Sequence, residues 1–163
     1  MASARLSPAQ LRERILDGAE LALLDIREAQ PFVACHILTA SNAPLSRLEI
    51  AVPRLVPRKA TPVVLCDADE SLVDAAAKAL AGLGYLDVSV LHGGTQAWSA
   101  TGYVLFEGSN VPSKAFGEIV EIACHTPAMD AQEVKDRVDA GDNLVILDGR
   151  PWDEYQDFNI PGG

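Results

Sequence analysis

The sequence has 163 residues, of which 48% are hydrophobic and 22% charged, as expected for a globular protein with one full domain and a remainder. Its net charge of −10 is concentrated in the last third of the chain and argues against nucleic acids and anionic membranes as partners. The N-terminus lacks a signal-peptide pattern and no segment is apolar enough to span a bilayer, so the expected location is cytoplasmic. The spacing of Cys35, Cys66 and Cys124 predicts neither a disulfide framework nor a zinc site, and no metal or cofactor is expected.

The first third of the chain alternates predicted helices with short strands. Ser7 and the proline after it start a helix that ends at Gly18, because serine is a preferred N-cap and proline favours the first turn. Residues 21–24 predict a buried strand and residues 40–44 a second short strand ended by proline. Residues 45–55 predict a further helix.

The centre of the chain predicts a strand, a tight loop and a helix. Residues 63–66 are an unbroken apolar run, residues 67–71 are polar, and residues 72–83 have apolar side chains at helical spacing. Another strand is expected at residues 88–91 and a short helix at residues 95–100. Strands that alternate with helices at these spacings indicate a parallel sheet with helices on both faces.

The loop after the central strand is the candidate site. A loop that leaves the carboxyl end of a parallel strand and opens a helix presents free backbone N–H groups, which favour an anion or an anionic nucleophile. In this chain the loop carries the carboxylates of Asp67, Asp69 and Glu70. These carboxylates are themselves suited to neutralising the N-terminus of the following helix.

The second half of the chain repeats the first. Placing residue n beside residue n + 123 aligns, without a gap, Arg14 with Arg137, Gly18 with Gly141, Leu21 with Leu144, Leu24 with Leu147, Asp25 with Asp148, Arg27 with Arg150 and Ile37 with Ile160. The predicted organisation is a domain at residues 1–107, a linker at residues 108–125 and a truncated second domain at residues 126–163. A lone helix and strand bury little apolar surface, so we expect residues 126–163 to lie on the first domain, pair with a second copy of the chain, or fray.

This order of motifs resembles the rhodanese family of sulfurtransferases. The residues that carry the resemblance are Asp25, Arg27, Phe32, His36, Ile37, residues 40–45, Gly84, Tyr85, Gly93, Gly94 and Trp98, followed in the second copy by Asp148, Arg150 and Tyr155. The resemblance implies a five-stranded parallel sheet with helices on both faces. It also implies transfer of a sulfane sulfur from thiosulfate or a persulfide to cyanide or another thiol, with a downstream rhodanese domain of the same polypeptide as partner.

In active members of that family, the central strand ends in a cysteine that opens a CxxGxRS loop. Alignment back from Gly84 and Tyr85 puts Asp67 at the cysteine position, with Leu72 and Val73 at the positions of the arginine and the serine. A carboxylate cannot accept sulfane sulfur to form a persulfide, and like charges in the loop would repel thiosulfate. The loop, formed by Ala68, Asp69, Glu70, Ser71, Leu72 and Val73, therefore predicts a catalytically silent domain.

Two alternatives use the same residues. A one-residue shift would make Cys66 the nucleophile, although a side chain at that position of a strand should face away from Asp67 and be buried. Residues 63–71 also resemble the first motif of haloacid-dehalogenase-like phosphatases, in which Asp67 would be the nucleophile and Asp69 the general acid, beside Mg²⁺. That family needs a further acidic pair, and no GDxxxD-like stretch follows.

The remaining motif residues are expected to hold the fold. Asp25 with Arg27, and Asp148 with Arg150, would tie each strand's exit to neighbouring loops through hydrogen bonds. His36 is expected to be structural, because it and Cys35 point apart on an extended segment. The remaining residues of this kind are the turn glycines Gly93 and Gly94 and the core side chain Trp98.

Overall fold

The computed structural model describes residues 3–109 and 111–162, apart from the side chain of Asp153. Met1, Ala2 and Gly163, at the limits of the predicted domains, and Asn110, in the predicted linker, lie outside the described residues. The chain divides into two units, Met1–Glu118 and Ile119–Gly163. No helix within the described residues has the length and hydrophobicity needed to cross a membrane.

Five parallel strands form the sheet of the first unit. In chain order they are β1 (Ala4–Leu6), β2 (Ala22–Asp25), β3 (Ser41–Asn42), β4 (Val63–Cys66) and β5 (Val88–Leu91). Their spatial order is β1-β5-β4-β2-β3, and every neighbouring pair is parallel. The central strand β4 is buried at all four residues. The predicted five-stranded parallel sheet is confirmed.

Helices follow the strands along the chain. In the first unit they are α1 (Pro8–Leu16), α2 (Ala29–Ala34), α3 (Leu48–Leu55), α4 (Val73–Gly82) and α5 (Gly94–Ala100), and a 3₁₀ turn, Leu45–Arg47, precedes α3. Helix α6 (Val111–Cys124) crosses the boundary between the units, and α7 (Ala131–Asp139) and α8 (Trp152–Asp157) lie in the second. Helix α1 begins as predicted, because Ser7 and Gln10 exchange backbone-to-side-chain hydrogen bonds in a capping box.

The sheet separates two apolar clusters. Side chains alternate along a strand, so Val63 and Leu65 of β4 join the cluster formed with α3 and α4, whereas Val64 and Cys66 join the cluster formed with α1, α2 and α5. The predicted helices on both faces of the sheet are therefore confirmed. This arrangement fixes the side to which each residue at the end of β4 points.

The structure differs from the sequence predictions at several elements. Strand β1 and helix α2 were not predicted, and β3 covers two of the residues predicted at 40–44. Strand β1 is a three-residue edge strand in which Leu6 alone is buried, so it has no apolar pattern to detect. Helix α2 has six residues, a proline inside it and no side-chain cap, so its start signal is absent.

The second unit repeats the local geometry of the first. Helix α7 begins and ends 123 residues after α1, and α8 stands at the same offset from α2. Residues 144–147, which the repeat aligns with the predicted strand at residues 21–24, are not paired in a sheet within the described part of the chain. The side chains of Val145 and Leu147 are 80% and 87% exposed, because no neighbouring strand covers them.

Candidate functional site

The loop of residues 67–72 joins the carboxyl end of β4 to α4. The side chain of Asp67 is buried and accepts hydrogen bonds from the backbone N–H groups of Glu70, at 2.6 Å, and Leu72, at 2.7 Å. One oxygen takes each bond, so both carboxylate oxygens are engaged. Leu72 is the N-cap of α4 and provides no side-chain cap of its own. Asp67 therefore satisfies two backbone N–H groups of this loop and helix start with a carboxylate of the chain itself.

Cys66 points to the opposite side of the sheet. Its side chain is 0% exposed and belongs to the apolar cluster that includes Leu91 and Trp98. Burial, and secondarily the nearby carboxylate of Asp25, raises the pKa of the Cys66 thiol well above its ordinary value. A neutral thiol buried in the core is a poor nucleophile.

Glu70 has a left-handed backbone with a φ of +73°. This conformation costs a residue with a side chain about 1 kcal/mol and favours glycine. When Asp67 takes the cysteine position of a CxxGxRS loop, Glu70 takes the glycine position. The backbone thus keeps the shape of a glycine turn although the residue carries a side chain.

The carboxylate of Glu70 is held by three donors from outside the loop. One oxygen accepts from the Nε of Arg5 at 2.7 Å, and the other accepts from the backbone N–H of Gly93 and lies 2.7 Å from the Nδ1 of His92. Burial opposes ionisation of Glu70, but these hydrogen bonds outweigh it and lower the pKa of its carboxyl group. Sequence reasoning missed these contacts, because Arg5 is 65 residues away from Glu70.

The turn of Gly93 and Gly94 packs directly on the loop. Gly94 has a φ of +59°, and a Cβ atom built there would lie 2.4 Å from the carbonyl oxygen of Ala68. This close approach lets the backbone N–H of Thr95 donate to the carbonyl of Asp67 at 2.8 Å, and that of Gln96 to Ala68 at 3.1 Å. Glycine is required at residue 94 by both conformation and space.

The other loop positions carry no cationic side chain. Val73, at the predicted serine position, is fully buried in the cluster beneath α4, and Leu72, at the arginine position, packs against that cluster. Asp69 is exposed and accepts a hydrogen bond from the N–H of Ser71 at 3.2 Å. Within residues 3–109 and 111–162, no group of three or more His, Cys, Asp or Glu side chains is placed to hold a metal ion.

A buried Asp–Arg fork closes the exit of β2. The Nε and Nη2 of Arg27 donate to Asp25 at distances of 2.6 to 3.2 Å, and Nη2 also donates to the carbonyl of Cys35 at 2.6 Å. The fork recurs 123 residues later, where Arg150 bonds Asp148 with distances of 2.6 to 3.2 Å and donates to the carbonyl of Phe158 at 2.8 Å. Hydrogen bonds from Arg150 lower the pKa of Asp148 to about 2.

His36 and Trp98 make contacts inside the first unit. The Nδ1 of His36 lies 2.9 Å from the carbonyl oxygen of Phe32, which can only accept, and the two rings are stacked with centroids 4.0 Å apart. The indole N–H of Trp98 donates to the carbonyl of Val104 at 3.1 Å. Neither side chain reaches the residue 67–72 loop through any of these contacts.

Comparisons with known proteins agree with this fold. The family model of the rhodanese-like domain matches residues 7–101. A search of curated proteins gave no significant match. Among solved structures, the thiosulfate sulfurtransferase from Pseudomonas aeruginosa is 49% identical, with a TM-score of 0.89 over 98% of this chain and 30% of its own. This chain thus spans less than a third of that protein's length.

Two more distant structures share the fold over about two thirds of the chain. A rhodanese-related protein from Thermoplasma volcanium is 26% identical over 63% of this chain and 97% of its own, with a TM-score of 0.55. The 3-mercaptopyruvate sulfotransferase SseA from Escherichia coli is 23% identical over 66% of this chain and 52% of its own, with a TM-score of 0.52. The rhodanese-like domain model matches more than half of the residues, and the sheet order agrees with it, so the chain belongs to the rhodanese-like family.

Proposed function

We propose that residues 1–107 form a catalytically silent rhodanese-like domain of a tandem thiosulfate sulfurtransferase, in which another domain transfers sulfane sulfur to a thiol or cyanide. The observation that carries this proposal is the carboxylate of Asp67. It fills the loop, and its two oxygens accept from the N–H groups of Glu70 and Leu72. The loop's anion-binding N–H groups are therefore occupied by the chain itself.

The chemistry of sulfur transfer explains why a carboxylate at residue 67 makes the loop inactive. A thiolate attacks the sulfane sulfur of thiosulfate, a new S–S bond forms, the old S–S bond breaks and sulfite leaves with the electron pair. The oxygens of Asp67 are hard, weakly nucleophilic atoms and form no stable bond of this kind. Cys66, the nearest thiol in sequence, faces the opposite side of β4 and is fully buried.

The repeated geometry supports the tandem part of the proposal. Residues 126–163 reproduce the first unit's initial helix, its Asp–Arg fork and the helix after it, all at one offset. We infer that they open a second rhodanese-like domain and that residues 108–125 link the two. The similar Pseudomonas aeruginosa protein, whose chain is more than three times as long, is consistent with further domains.

The proposed partner of the second unit is therefore a downstream rhodanese-like domain, and a second copy of this chain is the alternative. Either would cover the exposed side chains of Val145 and Leu147. We expect fast amide hydrogen exchange at residues 144–148 in this chain, and protection there in a version extended by the downstream sequence. Strong protection in this chain alone, at a concentration where it is monomeric, would contradict this arrangement. A cytoplasmic location remains a prediction.

The direct test of silence is sulfur transfer from thiosulfate to cyanide, with an active rhodanese as positive control. We expect wild type and Cys66→Ser to give the same background rate. Turnover by wild type that is lost in Cys66→Ser would overturn the proposal and favour the shifted alignment. Mg²⁺-dependent release of phosphate from a phosphomonoester that is lost in Asp67→Asn and Asp69→Asn would favour the phosphatase alternative instead.

A further inference from the structure

The Glu70 carboxylate is surrounded by hydrogen-bond donors in the way that a bound anion would be. Its carboxylate lies where β1, the end of β5 and the β4–α4 loop meet. Arg5 Nε, Gly93 N–H and His92 Nδ1 all lie 2.7 Å from its oxygens. Donors from these separate places in the sequence converge on one carboxylate. The Glu70 side chain is 16% exposed, whereas those of Arg5 and His92 are 44% and 67% exposed.

We propose that Arg5, His92 and the Gly93 N–H form an oxyanion-binding site of which the Glu70 carboxylate is the permanent internal ligand. The ligand class is a small tetrahedral oxyanion such as sulfate or phosphate. Its oxygens can span a guanidinium, an imidazole nitrogen and a backbone N–H in the way that the Glu70 oxygens do. Glu70 excludes such ions because it is attached to the site.

Attachment gives Glu70 its advantage over a free ion. A tethered group competes at an effective concentration in the millimolar range or above, set by the short connection. The exposed Asp74, whose Oδ1 is 3.9 Å from Arg5, is the other carboxylate near this cation. Because Asp74 is 90% exposed, it screens Arg5 weakly and leaves the inner face of the site to Glu70.

The backbone of Glu70 makes the test simple. Its φ of +73° suits glycine, so Glu70→Gly removes the carboxylate and relieves the conformational cost at the same position. The variant is therefore expected to fold. Glu70→Gln is the second variant, because it keeps the side-chain size and removes the charge. The neutral glutamine side chain then competes less strongly with a free anion for Arg5.

The measurement is the amide shift of Gly93 in ¹H–¹⁵N spectra of the full chain during titration with sodium sulfate, compared with sodium chloride at equal ionic strength. We expect a saturable sulfate-specific shift in Glu70→Gly, with an affinity at least tenfold above that of wild type, and a smaller gain in Glu70→Gln. Adding Arg5→Gln to Glu70→Gly should remove the shift. Glu49→Ala, which removes an exposed negative charge on α3, is the matched control and should behave as wild type.

A Gly93 amide that responds equally to sulfate and chloride in Glu70→Gly would overturn the proposal. A response unchanged by Arg5→Gln, or reproduced by Glu49→Ala, would do the same, because it would show a general charge effect. Sulfate binding and sulfur transfer are measured separately. The site can therefore be refuted while the silent domain stands, and the silent domain can be refuted while the site stands.

Discussion

Replacing Asp67 with asparagine tests its part in the loop. Asparagine keeps one acceptor oxygen and puts an NH₂ group at the other position, so either the N–H of Glu70 or that of Leu72 loses its acceptor. A hydrogen bond to a charged group contributes about 1.5–3 kcal/mol, and the orphaned donor is partly buried. We expect Asp67→Asn to lower the free energy of unfolding of the first unit by about 2 kcal/mol.

Urea unfolding followed by the fluorescence of Trp98, in a Trp152→Phe background, measures this loss in the first unit alone. For a domain of this size the melting temperature should fall by roughly 8 °C. Asp69→Asn is the control, because it makes the same chemical change at an exposed position of the same loop. If the two variants agree within about 0.5 kcal/mol, the typical scatter of surface substitutions, Asp67 does not hold the loop.

Three further predictions concern the loop and its surroundings. Gly94→Ala should lower the free energy of unfolding by at least about 2 kcal/mol more than Gly102→Ala. Both glycines have positive φ, but only at Gly94 would an added Cβ lie 2.4 Å from a backbone oxygen, and equal urea midpoints would refute this. In the native chain a thiol reagent should modify the exposed Cys124 quickly and the buried Cys66 only upon unfolding; fast native labelling of Cys66 would contradict the structure. The fold lowers the pKa of Glu70, so the stabilisation from its carboxylate is complete above the unfolded pKa of about 4.3 and declines as the pH falls through the folded pKa. Glu70→Gln should therefore flatten the urea midpoint as a function of pH in this range. Parallel profiles for wild type and variant would contradict this prediction.

The sequence was sufficient for the parts of the fold that have a strong pattern. The apolar run of β4 and the helical spacing of α4 predicted both elements and the loop between them. The edge strand β1 could not be predicted, because it depends on pairing with β5 rather than on its own composition. Residues 144–147 show the reverse case. They align with the strand predicted at residues 21–24, but within the described residues they pair with no other strand.

The candidate site was predictable in its positions and not in its contacts. Alternation along β4 was enough to separate Cys66 from Asp67, because the strand is buried on both faces. Glu70 is bonded to Arg5, His92 and Gly93 only because the sheet order places β1 beside β5. Strand β1 was not predicted, so these contacts could not be predicted either. The one available signal was that Glu70 stands where a CxxGxRS loop has its glycine.

The Asp–Arg fork occurs in this chain in two settings with nearly the same bond lengths. The side chains of Asp25 and Arg27 are 0% and 9% exposed, whereas those of Asp148 and Arg150 are 16% and 32% exposed. Lysine cannot reproduce the two-pronged bond, so Arg27→Lys and Arg150→Lys remove the same geometry from a dry and a wetter environment. We expect Arg27→Lys to lower the free energy of unfolding of the first unit by more than Arg150→Lys lowers that of the second, because water can replace the hydrogen bonds lost at the more exposed fork.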